Sequence, residues 1–263
     1  MNSLYRNCST LLLNVVAQLG RTFHFTLQSF INLFSVVFHF REFLLQFYQV
    51  FVGAIPLAIV AGLSLGAVVW MHLYHALSRS GTTDALPTFL SAAVFLELAP
   101  IGAGLIVAGR TGAGFAAEIG AMKQSEQLDA LELIGKSPIR ELIVPRIVAC
   151  IFALPLITIL IASIAILSGY ISGAILAHTT WLHYQSSCLK ELYLSDIIPA
   201  LLKTPIFGWL IATVSCYKGL QCEGGTIGIG KAATQGIVYS TFLVLIADVY
   251  LVALIRLFLT TNH

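Results

Sequence analysis

The chain has 263 residues, of which 58% are hydrophobic and only 10% charged, with a formal net charge of +2. Soluble domains carry about a quarter charged residues, so composition excludes an ordinary soluble fold. The near-neutral balance offers no electrostatic footprint for nucleic acid, and no polar stretch approaches the length of a separate soluble domain.

The N-terminal segment is apolar but broken by Arg6, Asn14, Arg21, His24, Asn32 and His39. No clean apolar core with an A-x-A-like cleavage site occurs there. Residues 1–50 therefore read as an amphipathic helix lying in the membrane interface rather than a cleaved leader. Five apolar stretches follow, at about 51–77, 86–109, 145–177, 197–217 and 236–259. Each meets the roughly 20 residues that a spanning helix requires, and the third must tilt or extend past the bilayer. The expected fold is an all-α integral membrane domain over 51–263.

Orientation follows from the basic residues of the connections. Arg6, Arg21 and Arg41 precede the first span. Arg110, Lys123, Lys136, Arg140 and Arg146 lie between the second and third, and Lys218 and Lys231 between the fourth and fifth. The other two connections hold only Arg79 and Lys190. This bias places the N-terminus in the cytoplasm and, after five spans, the C-terminus in the periplasm. Gly62 with Gly66 and Gly169 with Gly173 have the small-xxx-small spacing of close helix packing, a spacing that chance also produces in a chain with 21 glycines. No internal repeat is visible, which weighs against secondary transporters built from inverted repeats.

The connection between spans two and three, with a coupling segment at 110–140, is rich in both charges. Glu126, Asp129 and Glu132 share one stripe at helical spacing, with Leu128, Leu131 and Ile134 roughly opposite. Gly135 supplies a helix stop. Ser137 and Pro138 read as the N-cap and first position of the next helix, which Pro145 should perturb as it enters the membrane. The pattern predicts a short amphipathic helix whose apolar face rests on the membrane domain, leaving its acidic face for a partner or for solvent.

Several motifs match chemistry only on paper. Residues 225–232 fit G-x-x-x-x-G-K, but Ala232 stands where a phosphate loop needs Ser or Thr, and a turn between two spans is the expected structure. Gly109, Gly112 and Gly114 follow no strand and so make no dinucleotide fingerprint. His72 and His75 at the end of the first span lack further metal ligands. Cys8, Cys150, Cys188, Cys216 and Cys222 are odd in number and scattered, unlike a disulfide framework or zinc site. No Ser/His/Asp group or paired carboxylates point to catalysis, and no cofactor is expected on this chain. Glu97, Asp248 and Arg256 lie in or near spans, where an ionisable residue faces a cavity or pairs internally.

Glu97-Leu98-Ala99-Pro100, Ala108-Gly109-Arg110, Ala117 through Lys123, Glu126 through Glu132, Pro138-Ile139-Arg140 and Pro145-Arg146 occur in one order over some fifty residues. In this the chain resembles the MlaE (YrbE) family of ABC transporter permeases. Weaker similarity runs through Gly228-Ile229-Gly230, Ala233-Thr234 and Asp248. Ala99, Leu96 and Val68 depart from residues common in the family, and imply a less polar cavity. The resemblance implies a bacterial inner-membrane homodimer, a separate ATPase that binds ATP and Mg²⁺, a periplasmic MCE-domain protein, and phospholipid moved between inner and outer membranes. A sterol-like or hydrocarbon substrate is the alternative, as is a non-transporting scaffold. It further implies ATPase coupling through Glu118, Lys123, Glu126, Gln127, Asp129 and Glu132, with Met122, Leu128 and Leu131 packing the coupling helix. Glu97, Leu98 and Pro100 are expected at the lipid cavity, and Asp248 and Arg110 in intramembrane structural roles.

Overall fold

The computed structural model describes residues 25–27, 29, 40–177, 179–190 and 194–261, so most of the expected interfacial segment lies outside the described residues. All regular structure among them is helical. Helix α1 spans Phe40–Ser78 and α2 spans Thr83–Gln124; α3 is the short Gln127–Leu133, and α4 spans Ile139–Ala177. Helix α5 covers Trp181–Lys190, α6 Leu194–Leu220 and α7 Gly225–Thr261. Five of these (α1, α2, α4, α6 and α7) are long and apolar enough to cross a membrane, as hydropathy predicts. The protein is therefore an all-α, multi-pass membrane protein. The helices outrun the apolar stretches: α1 begins at Phe40, and α2 continues without a break to Gln124, well into the segment that separates spans two and three.

Helices α2, α4 and α6 form the interior of the bundle, with about half of each apolar window buried, whereas α1 and α7 flank it with 22% and 17% buried. The α1–α4 seam depends on absent side chains. A Cβ at Gly66 would collide with the Ala165 carbonyl, and one at Gly62 would come within 2.9 Å of the Ile161 oxygen. Gly173 seats the Trp70 indole, and Gly169 seats Leu90 and the Tyr184 hydroxyl. Both small-residue pairs thus serve close packing, the driving contact between helices in lipid.

Helix α5 closes the end of the bundle opposite α3. Thr88 and Ser91 of α2 donate to the Ser187 and Cys188 carbonyls, and Tyr184 donates to the Ile166 carbonyl at 2.9 Å. Tyr170, Trp181 and Tyr184 cluster at this rim. Amphipathic aromatics of this kind favour a membrane–water interface.

Two prolines reshape the long helices. Pro100 and Pro145 each follow a π-helical turn, Val94–Leu98 and Ile139–Ile143, in which Ala99 N–H bonds the Val94 carbonyl and Val144 N–H the Ile139 carbonyl. A proline has no N–H for the carbonyl four residues back, so the ladder widens just ahead of it. The perturbation expected at Pro145 takes this form while α4 continues. A third π turn, Ala108–Gly112, carries Arg110.

Candidate functional site

The chemistry inside the membrane converges on one lysine. Lys203 of α6 places Nζ 2.7 Å from Glu97 Oε2 of α2, to which it donates a hydrogen bond. It also lies 2.8 Å from Asp248 Oδ1 of α7, a charge contact outside hydrogen-bonding angles. The Lys203 side chain is 1% exposed and Asp248 10%, while Glu97 is 39% exposed. The cluster is therefore sealed at the lysine and open at one carboxylate. Glu97 and Lys203 line a cavity of about 200 Å³ with Leu96, Pro199, Ile255 and Arg256. The π turn at Val94–Leu98 sets Glu97 against it. Leu98 packs on the hydrophobic core and Pro100 is buried, so neither borders this pocket. The reason is rotational: a π turn holds one residue more than an α turn and shifts its neighbours to another face.

Lys203 was not singled out from the sequence, although Glu97 and Asp248 were. Its signal is a lysine inside the apolar run Ile197–Trp209, where an ammonium requires a partner.

At the other end of the bundle, α3 sits between two breaks, of which the second is marked by Gly135 and Pro138. The chain turns at Ser125, whose hydroxyl bonds the Ala121 carbonyl, and Glu126 adopts a left-handed conformation with φ 57°. The helix ends at Gly135, φ 79°, where Gly135 N–H bonds Glu132 O and Lys136 N–H bonds Leu131 O. That pair of bonds is the Schellman stop that glycine permits. Leu128 is buried, Leu131 half-buried and Met122 packed on the core. Glu126, Gln127, Asp129 and Glu132 are exposed. Ile134 departs from expectation: it is 69% exposed and, beside Leu133 at 88%, forms an apolar knob. It lies past the helical turn that carries Leu128 and Leu131 inward, so the heptad-like extrapolation fails there. Lys123 is half-buried and lines a pocket of about 290 Å³ beneath α3 with Leu128, Asp129, Glu132 and Ile139.

Two basic residues of this connection do not behave as loop charges. Arg146 is 4% exposed, donating to Glu118 Oε2 at 3.0 Å and to the Leu142 carbonyl at 2.9 Å, with its guanidinium 5.6 Å from the Phe115 ring centre. Glu118 thereby ties α2 to α4 while half exposed, which separates it from the α3 carboxylates. Arg110 is exposed and reaches across Gly53 of α1, donating to the Gln49 carbonyl at 3.4 Å.

The phosphate-loop look-alike is helical, not a turn: Gly225–Ala232 forms the first turns of α7, and only Gly224 and Gly225 have positive φ. Gly109, Gly112 and Gly114 lie in α2. His75 contacts Arg79 at 3.1 Å. Among the described residues no group of His, Cys, Asp and Glu could hold a metal, and Cys150, Cys188, Cys216 and Cys222 are buried free thiols.

Comparison with known proteins matches the description "Permease MlaE" over residues 43–254, which includes every residue of the ion cluster and of α3. A probable ABC transporter permease protein of Rickettsia typhi is 34% identical over 85% of this chain and 88% of its own length. One of Synechocystis is 31% identical over 89% of each. A chloroplast protein of Arabidopsis thaliana, trigalactosyldiacylglycerol 1, is 32% identical over 80% of this chain and 60% of its own length. A match over this much of a five-span bundle shows the family: the chain belongs to the MlaE permeases and is the permease component of an ABC transporter.

Proposed function

We propose that this permease moves a phospholipid or related lipid between the inner and outer membranes of a bacterium, as a homodimer driven by a separate ATPase and served by a periplasmic MCE-domain protein. ATP and Mg²⁺ belong to the ATPase. The reading sets the N-terminus and α3 in the cytoplasm and the C-terminus in the periplasm, following the basic residues around α3. Lipid as cargo is supported by the family resemblance and by the Arabidopsis relative, which bears the name of a glycolipid.

The construction of α3 carries the proposal. A seven-residue helix fixed by Leu128 and stopped by Gly135 presents Glu126, Gln127, Asp129, Glu132, Leu133 and Ile134 outward. Carboxylates around an apolar knob suit a groove on a partner, with the knob giving contact area and the charges orientation. Closure of two ATPases rocks α3 and, through α2, reshapes the space beside Glu97, a rigid-body rearrangement of familiar type. Glu97, held by the buried Lys203, then gives the lipid path a polar group that a headgroup can use.

Reconstitution with the ATPase in vesicles bearing a headgroup-labelled phospholipid tests the whole reading. ATP-dependent lipid movement that falls at least about tenfold in Glu97→Gln supports it. Unchanged transport in Glu97→Gln removes the cluster from the lipid path. An unaltered ATPase rate with and without the permease favours a scaffold instead.

A further inference from the structure

We infer that the α3 end of the bundle holds a second lipid site, in which Arg110 grips the phosphate of a zwitterionic phospholipid headgroup. The site is a cavity of about 580 Å³ between α1 and α2, walled by Tyr48, Gln49, Gly53, Arg110, Phe115 and Glu118. That volume falls within the roughly 300–1,000 Å³ of small-ligand sites. It is remote from the Glu97 cluster, since thirteen residues of α2 separate Glu97 from Arg110, about 20 Å at the helical rise.

Arg110 motivates the assignment. Its described polar contact is the 3.4 Å bond to the Gln49 carbonyl, and no carboxylate pairs with it among the described residues. An arginine near a span's end snorkels to the interface, the level at which lipid phosphates lie, and a guanidinium fork matches a phosphate's two oxygens. The fold makes room for it. Gly53 lies directly under the guanidinium, where any Cβ would overlap it, so α1 offers a cradle at that turn. Tyr48 and Gln49 put polar residues on the same wall, and Phe115, buried in the core, gives an apolar floor.

Glu118 decides which phosphate. It stands about two turns beyond Arg110 on α2 and opens on the same cavity, with Oε2 engaged by Arg146 and Oε1 uncommitted. Both groups border one cavity, so a headgroup with a phosphodiester and an ammonium, such as phosphoethanolamine, finds a partner for each of its charges there. Glu118 shares its charge with Arg146, so it selects through an acceptor oxygen for an ammonium, which free phosphate and phosphoglycerol headgroups lack. The acyl chains then lie along the exposed apolar flank of α1, where Val52 and Leu57 face outward.

This inference rests on the lipid reading only for the class of ligand, and its test measures binding without ATPase or transport. The full chain, purified in detergent and delipidated, is titrated by native mass spectrometry with phosphatidylethanolamine, phosphatidylglycerol and inorganic phosphate. Phosphatidylethanolamine should bind best, Arg110→Gln should weaken it at least about tenfold, and Glu118→Gln should narrow its margin over phosphatidylglycerol. A diazirine-bearing phosphatidylethanolamine should cross-link to peptides holding 48–53 or 110–118 in the unmutated chain, which guards against a misfolded variant. Undiminished binding in folded Arg110→Gln, displacement by equimolar inorganic phosphate, or cross-links confined to other segments would each overturn the site. Loss of transport with this binding intact would sink the transport reading alone.

Discussion

Lys203 is a single ammonium shared by two carboxylates on two other helices. Its removal leaves both carboxylates without their cation. Lys203→Met should therefore cost about 3–5 kcal/mol, the scale of a broken buried pair, read as a lower unfolding temperature in detergent. Glu97→Gln leaves the Lys203–Asp248 contact and a half-exposed amide, so its loss should be under half as large. Equal losses from the two would show that the cluster is not centred on the lysine. Sequence reading identifies Glu97 and Asp248 because carboxylates in apolar runs are conspicuous. It cannot pair them, because their partner lies 106 residues from Glu97 along the chain. Arg146 misleads in the opposite sense: it counts as a loop charge in the linear chain but is buried in the folded one.

Helix α3 shows what pattern can and cannot deliver for an element. Its existence, its buried Leu128 and its stop at Gly135 follow from amphipathic spacing and one glycine. The outward turn of Ile134 does not, because spacing assumes that the helix continues. Glu126 adds a detail no pattern contains: it is the non-glycine residue with positive φ among the described residues. The left-handed conformation costs a side-chain-bearing residue about 1 kcal/mol, which glycine avoids. Glu126→Gly should thus keep or raise stability while weakening ATPase capture, measured by co-purification. Retained capture would mean that the carboxylate is dispensable for docking. Reversing Glu126 and Asp129 to Lys should abolish capture without changing the unfolding temperature. On the α1–α4 seam, Gly66→Val forces a side chain onto the Ala165 carbonyl. It should destabilise the bundle by about 1–3 kcal/mol or more, as overpacking does.

For the whole molecule, hydropathy suffices to count spans, since each must satisfy its backbone within itself. The packing order is hidden, because nearly every face of such helices is apolar; only the structure distinguishes the interior α4 from the flanking α1 and α7. Their uncovered apolar faces are compatible with lipid or a second copy, and the mass of the detergent-solubilised protein separates monomer from the proposed dimer. Orientation is open to cysteine labelling with an impermeant maleimide. Glu132→Cys should label only from the cytoplasm and Thr180→Cys only from the periplasm; the reverse result would invert the topology. Cys188 should stay silent in both, because burial pushes its thiol above the usual range and leaves it protonated.

Helix α2 runs from Thr83 to Gln124 without a loop, so the α3 turn and Glu97 are two points on one rod, about 40 Å apart at the helical rise. A loop between them would absorb displacement as slack; a rod transmits it. Its compliance is concentrated in the π turns at Val94–Leu98 and Ala108–Gly112, where the hydrogen-bond ladder is already widened. One of these joints bears Glu97 and the other Arg110, so any flexing of the rod re-aims the very charges that border its two cavities.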